Sequence, residues 1–178
     1  MRIFVAVTLP KDIKKYIGEY TERIKDAISG VKWEIPEKLH ITLKFIGNID
    51  QGILDNIGKA LSNYNYNEKS VKMKIIGING FPNLKKPSVI VIMLEPNFIL
   101  DEIRNYVENT LLNVGIEKDT RNFIPHVTIG RVKSKIGFNK DLPVIDSRDF
   151  NLVSLDVVKS VLSKNGSEYF TCFTFNFR

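Results

Sequence analysis

His40 and His126 are the only two histidines of the chain, and each opens the same pattern: His40-Ile41-Thr42-Leu43 and His126-Val127-Thr128-Ile129. Side chains alternate between the faces of an extended strand, so each imidazole shares a face with the threonine two residues on. Phosphodiester chemistry without a metal needs such groups. A base takes a proton from the attacking oxygen, an acid gives one to the departing oxygen, and donors hold the non-bridging oxygens as charge develops. Imidazole titrates at about pH 6.5, so one neutral and one protonated ring is an accessible state near neutrality. Threonine hydroxyls can donate to phosphate oxygens. His40 and His126 are therefore the candidate acid–base pair, and Thr42 and Thr128 the candidate phosphate binders. The residues alone leave open which ring is acid and which is base.

One His-x-Thr is a weak signal, because a histidine on a strand is more often structural than catalytic. Two copies that use every histidine of the chain are a stronger one. Alternation also puts Lys44 on the face of His40 and Thr42, which predicts a positive charge beside the phosphate. It points Arg131 away from Thr128 unless the strand twists or ends there. A guanidinium so near the motif is still a candidate substrate contact. Neither motif has carboxylates or thiols at ligand-like spacing, so no metal site is expected. The chain has no Gly-x-x-x-x-Gly-Lys-Ser/Thr loop and no Gly-x-Gly-x-x-Gly turn, so no cofactor is expected. Trp33 reads as a packing residue near the rim, and the lone Cys172 as a small residue in an aromatic-rich strand.

The two motifs sit at matching places in an internal repeat. The histidines are 126 − 40 = 86 residues apart, and the same offset carries Val5 onto Val91, Pro10 onto Pro96, Ile17 onto Ile103 and Tyr20 onto Tyr106. In each copy an apolar run leads through a proline into a helical pattern and then to His-x-Thr. Two copies at so long a period predict two lobes related by a pseudo-twofold axis rather than a solenoid.

Local patterns supply the elements that would position the motifs. Arg2 to Thr8 and Val89 to Leu94 read as short buried strands. Lys11 to Ser29 carries apolar residues at helical spacing with Gly30 as its stop, and Asn97 to Val114 repeats the pattern before Gly115. Asp50 is placed to cap a helix through Leu61. Leu39 to Ile46 and Phe123 to Val132 are the motif strands. Val71 to Ile75 is a half-exposed strand, 80 to 87 a loop and Lys133 to Pro143 a basic, irregular stretch. Leu152 to Leu162 and Glu168 to Phe177 form a hairpin around Asn165-Gly166.

With 178 residues, 43% hydrophobic and 26% charged, the chain is long enough for one globular unit with a sizeable core. A net charge of +6 favours an anionic partner such as a nucleic acid or nucleotide. A single cysteine excludes an internal disulfide, and no apolar run approaches membrane-spanning length. A cytoplasmic protein, expected as a monomer, follows.

With these residues in view, the chain resembles the 2H phosphoesterase superfamily, and within it the branch of RNA 2′,3′-cyclic phosphodiesterases, also called 2′-5′ RNA ligases. The resemblance rests on five segments in order: Met1 to Val7, Glu37 to Gly47, Phe81 to Pro87, Phe123 to Arg131, and Ser160 through Gly166 to Tyr169. Gly130 stands where the family often has Ala. The resemblance implies an α+β fold of two pseudo-symmetric lobes, each an antiparallel sheet with helices outside, forming a central cleft. It implies a single bilobal domain over 1–178. Its members open the 2′,3′-cyclic phosphate at RNA ends to a 2′-phosphate, several also join ends through a 2′-5′ bond without ATP, and the substrates are RNA ends or cyclic nucleotides. Carried over by motif position, His40 protonates the departing 3′ oxygen, His126 activates water, and Thr42 and Thr128 bind the phosphate. The competing readings are an RNA-binding module with structural histidines, motivated by the lysines near 85 and 133–140, and a two-histidine endoribonuclease.

Overall fold

The computed structural model describes residues 1–138, 142–164 and 166–178. Its elements run β1 (Arg2–Thr8), α1 (Lys11–Ile24), β2 (Ile28–Trp33), β3 (His40–Asn48), α2 (Gln51–Leu61), β4 (Lys72–Phe81), β5 (Val89–Leu94), α3 (Phe98–Asn113), β6 (His126–Phe138), β7 (Asp149–Asn151), β8 (Ser154–Ser163) and β9 (Gly166–Asn176). Among the described residues the strands form two antiparallel sheets, ordered β3-β1-β8-β9 and β2-β6-β5-β4-β7.

The repeat is visible in the chain order. β1, α1 and β3 correspond to β5, α3 and β6, and both motif histidines are the first residues of their strands. In each sheet the motif strand lies beside the repeat's first strand: β3 beside β1, and β6 beside β5. Alternation along β1 separates two environments. Ile3, Val5 and Val7 join one apolar core with Ile13, Ile17 and Ile24 of α1 and with Leu100, Ile103 and Val107 of α3. Phe4 and Ala6 point to the other face, where they meet Val158 and Tyr169. The helices therefore cover one face of the sheets and leave the motif face open.

The helix ends follow local chemistry. Asp50 Oδ1 accepts from Ile53 N at 2.8 Å and starts α2; Asn97 Oδ1 accepts from Leu100 N at 2.9 Å and starts α3. α1 ends at Ile24, earlier than its apolar spacing predicts. Ile28 to Trp33 instead forms β2, which pairs with β6 of the other sheet. Gly30 is not a helix stop: its φ of +79° lies within β2, at a register shift between Ser29 and Val31 where the facing β6 carries the extra residues.

Two further expectations need correction. Residues 133 to 138, read as irregular, continue β6. Residues 72 to 81 form one strand, longer than the alternation at Val71 to Ile75 suggests, and Asp149–Asn151 forms the short β7 on its edge. Asn139, Lys140 and Asp141 of the basic stretch, and Asn165 of the expected turn, lie outside the described residues. No described helix is long and apolar enough to cross a membrane.

Candidate active site

The motif strands converge on one cleft. β3 and β6 belong to different sheets yet run past each other with Cα pairs within 8 Å. A cavity of about 630 Å³ between them is lined by five of the residues singled out from the sequence, His40, Thr42, His126, Thr128 and Arg131.

Both imidazoles are fixed in the same way. His40 Nδ1 lies 2.6 Å from Lys38 O, and His126 Nδ1 lies 2.7 Å from Ile124 O. A carbonyl oxygen only accepts, so each Nδ1 carries the hydrogen and each Nε2 is left to exchange a proton with a ligand. Aromatic rings hold the imidazole planes. Phe4 and Tyr169 lie 5.1 and 5.4 Å from His40, and Phe81 lies 4.8 Å edge-on from His126. Burial pushes both histidines below the ordinary imidazole range, and each Nδ1–H bond to a carbonyl opposes that shift. For His40 the Lys14 and Arg131 cations add to the lowering, while Glu34 opposes it.

Beyond each threonine, strict alternation fails, and in the same way in both lobes. Thr42 pairs with Ala6 but Lys44 pairs with Val5, so β3 carries one extra residue there. Thr128 pairs with Val91 but Gly130 pairs with Ile90, so β6 does likewise. A bulge of one residue inverts which face the following side chains meet. The expectation that Lys44 lies beside the phosphate is therefore wrong. Lys44 is 4% exposed and points into the interior, where its Nζ lies 2.6 Å from Glu108 Oε2 and donates also to Glu117 O. Phe45 takes the cleft face instead. In β6 the inversion brings Arg131 back to the cleft, which alternation had pointed away; its Nε lies 3.3 Å from Glu34 Oε1. Phe45 and Arg131 are equivalent positions of the repeat, since 131 − 45 is also 86. The pseudo-symmetric site is thus cationic on the β6 side and aromatic on the β3 side.

Gly130 has a packing reason. A Cβ built there would lie 2.5 Å from Val31 Cγ1 and 2.9 Å from Trp33 Cε3, so β2 crosses β6 over a bare backbone. Trp33 packs in this crossing, as its expected role required.

The cleft is electropositive. Arg2, Lys38, Arg104, Arg121 and Arg131 line it against two carboxylates, Glu34 and Asp119. The Arg121 guanidinium grips Asp119 through both carboxylate oxygens and holds that carboxyl well below the usual carboxylate range. Arg104 lies over the Phe123 ring at 5.2 Å. Among the described residues no group of three His, Cys, Asp or Glu is arranged to hold a metal ion. Sequence reasoning missed Glu34, Phe81, Arg104 and Tyr169 as cleft residues. The only hints were Phe81 before Pro82 and the resemblance ending at Tyr169.

A curated relative from Methanocaldococcus jannaschii, named RNA 2′,3′-cyclic phosphodiesterase, is 34% identical over 178 residues, covering 95% of this chain and 96% of its own. The chain belongs to the LigT-like phosphoesterases. The family model described as LigT like Phosphoesterase matches residues 7–91, which contain the first motif. A relative of the same name from Archaeoglobus fulgidus is 34% identical over 135 residues, covering 76% of this chain and 74% of its own. Among solved LigT-like folds, TT0787 of Thermus thermophilus superposes with a TM-score of 0.87 at 22% identity, over 100% of this chain and 98% of that one. E. coli LigT complexed with 3′-AMP superposes with a TM-score of 0.81 at 17% identity, over 99% of this chain and 97% of that one. The α+β architecture of two antiparallel sheets is that of the LigT-like fold.

Proposed function

We propose that this protein hydrolyses the 2′,3′-cyclic phosphate at RNA ends to a 2′-phosphate, using His40 and His126 as the proton-transfer pair and no metal. One observation carries the reading: two imidazoles, each with Nδ1 tied to the carbonyl two residues earlier, line one cationic cleft together with two threonines. The family name of the 34% identical relatives supports the same substrate class.

In this reading the cyclic phosphate lies between the lobes. Thr42 and Thr128 donate to its non-bridging oxygens, and Arg131 adds a fixed positive charge as negative charge grows there. His126 Nε2 takes a proton from water as the new P–O bond forms. The P–O3′ bond breaks on the opposite side, and protonated His40 gives its Nε2 proton to the leaving oxygen. The product keeps its phosphate on O2′. His126 ends protonated and His40 neutral, so proton exchange with solvent resets the pair. A ribose 5′-hydroxyl in the place of water would give a 2′-5′ linkage by the related chemistry, and the open cleft supports that second activity. Both halves of the site come from one chain, so residues 1–178 act as a single bilobal unit.

The test is product analysis on an oligonucleotide ending in a 2′,3′-cyclic phosphate, with EDTA present. The expected product is the intact chain with a 2′-phosphate. A 3′-phosphate contradicts the assignment of the leaving oxygen, and internal cleavage favours an endoribonuclease. Salt-sensitive RNA binding without turnover favours a binding module. An EDTA-sensitive rate points to metal chemistry.

A further inference from the structure

Tyr169 reaches both halves of the site from the edge of one sheet. It lies on β9, where it pairs with Ser160 of β8, and the order β3-β1-β8-β9 puts β9 outermost. Its ring stands edge-on to Phe4 at 5.3 Å and to His40 at 5.4 Å, with interplanar angles of 73° and 87°. Phe4, Ala6 and Val158 form the apolar floor beneath it. Packing on that floor needs only a phenylalanine. The hydroxyl does something more: it hydrogen-bonds the guanidinium of Arg131, which belongs to β6 of the other sheet.

A guanidinium only donates, so the phenol oxygen accepts in that contact. Burial and the nearby Glu34 carboxylate push the phenol above its ordinary range, and the Arg131 contact opposes them. The hydroxyl therefore stays neutral where imidazoles titrate. Arg131 has a second anchor, with its Nε 3.3 Å from Glu34 Oε1. Glu34 is itself tied to the second motif strand, since its N–H donates to Ile129 O at 2.8 Å. Arginine carries five N–H donors, so with one engaged by Glu34 and one by Tyr169 three remain for a phosphate. The Arg131 side chain is 46% exposed, and without these anchors it would be free to change rotamer.

We propose that Tyr169 is a positioning residue that joins the two lobes of the site, its ring fixing the plane of His40 and its hydroxyl, together with Glu34, fixing Arg131 against the phosphate. The inference rests on the phosphodiesterase reading for the roles of His40 and Arg131. The acid and the cation must address one phosphate at the same moment, yet they come from strands of different sheets. A single side chain in contact with both holds them in mutual register before substrate arrives. Tyr169 acts through these two groups and not on the reacting atoms.

A double-mutant cycle tests this, with kcat/KM measured on an oligonucleotide ending in a 2′,3′-cyclic phosphate and thermal melting of every variant as the fold control. Tyr169→Phe keeps the ring beside His40 and removes only the hydroxyl. It should lower kcat/KM about tenfold, the size of one hydrogen bond to a charged group. In the Arg131→Ala background the same change should lower it by less than about twofold, because the guanidinium it positions is gone. Tyr169→Phe should keep the wild-type pH optimum. Tyr169→Leu, which also strips the ring from His40, relieves part of the burial that lowers that imidazole and moves the optimum to higher pH. A wild-type rate in Tyr169→Phe, an equal loss with and without Arg131, or an unmoved optimum in Tyr169→Leu overturns the role. If the wild-type protein turns over no cyclic phosphate, the phosphodiesterase reading fails by itself. The bridge is then read from the Arg131 Nε–H resonance by NMR: a signal that shifts or broadens in Tyr169→Phe supports it, and one identical in both proteins overturns it.

Discussion

Lys44 offers the sharpest contrast between sequence alternation and the observed bulge. Alternation puts its ammonium next to the phosphate, whereas the bulge after Thr42 buries it against Glu108 at 2.6 Å. The two placements predict opposite phenotypes for Lys44→Met. Removing one member of a buried ion pair costs about 3–5 kcal/mol, because the other charge is left uncompensated. Here Glu108 keeps two partners, Asp119 N–H at 3.0 Å and Arg104 at 3.7 Å, so the lower figure of about 3 kcal/mol applies. For a chain of this size each kcal/mol shifts the melting temperature by about 2–4 °C, which gives a drop of about 6–12 °C. KM for the cyclic phosphate, measured below the lowered melting temperature, should stay near the wild-type value. Scanning calorimetry and steady-state kinetics on one preparation read both quantities. Wild-type stability combined with a KM raised tenfold or more would refute the bulge argument and return Lys44 to the phosphate.

Other consequences follow from the same geometry. The productive state has one ring protonated and one neutral, and its population peaks at the mean of the two pKa values; burial lowers both, so kcat/KM should be greatest below about pH 6.5, and a maximum above pH 7.5 contradicts this. Arg131→Ala should lower kcat/KM by about tenfold or more through loss of the cation facing the phosphate, and an unaffected rate would remove Arg131 from the site. Because the folded-state histidines titrate below their unfolded values, the unfolded chain binds more protons as pH falls through about 6.5, so folding stability declines in that window. Urea midpoints should show a shallower decline between pH 6.5 and 5 in His40→Asn than in the wild type; identical slopes would mean that His40 is not shifted by burial.

Much of the fold was legible because its signals are local. β1 and β5 are short apolar runs, and the Asp50 and Asn97 side chains cap the helices that follow them. The repeat placed both histidines on equivalent strands, although the strands begin at the histidines themselves rather than at Leu39 and Phe123. The failures came from pairing with distant segments. Ile24, Ala27 and Ile28 continue a helical spacing, yet Ile28 leaves α1 to pair with Phe138. Nothing local to residues 28–33 encodes that partner. The bulges are set by register against β1 and β5, so no reading of β3 or β6 alone could find that Lys44 turns in, Phe45 turns out and Arg131 rejoins Thr128. Tyr169, Phe81 and Glu34 reach the cleft from three separate strands or loops, and only assembly of both sheets brings them to the histidines.

The central claim is that both imidazoles act on one phosphate, and the most direct measurement is single-turnover hydrolysis of a cyclic-phosphate-ended oligonucleotide by His40→Ala and His126→Ala. Each variant should melt as a folded protein and lose about 10²-fold or more in rate. A folded variant of either kind that retains the wild-type rate would contradict the account.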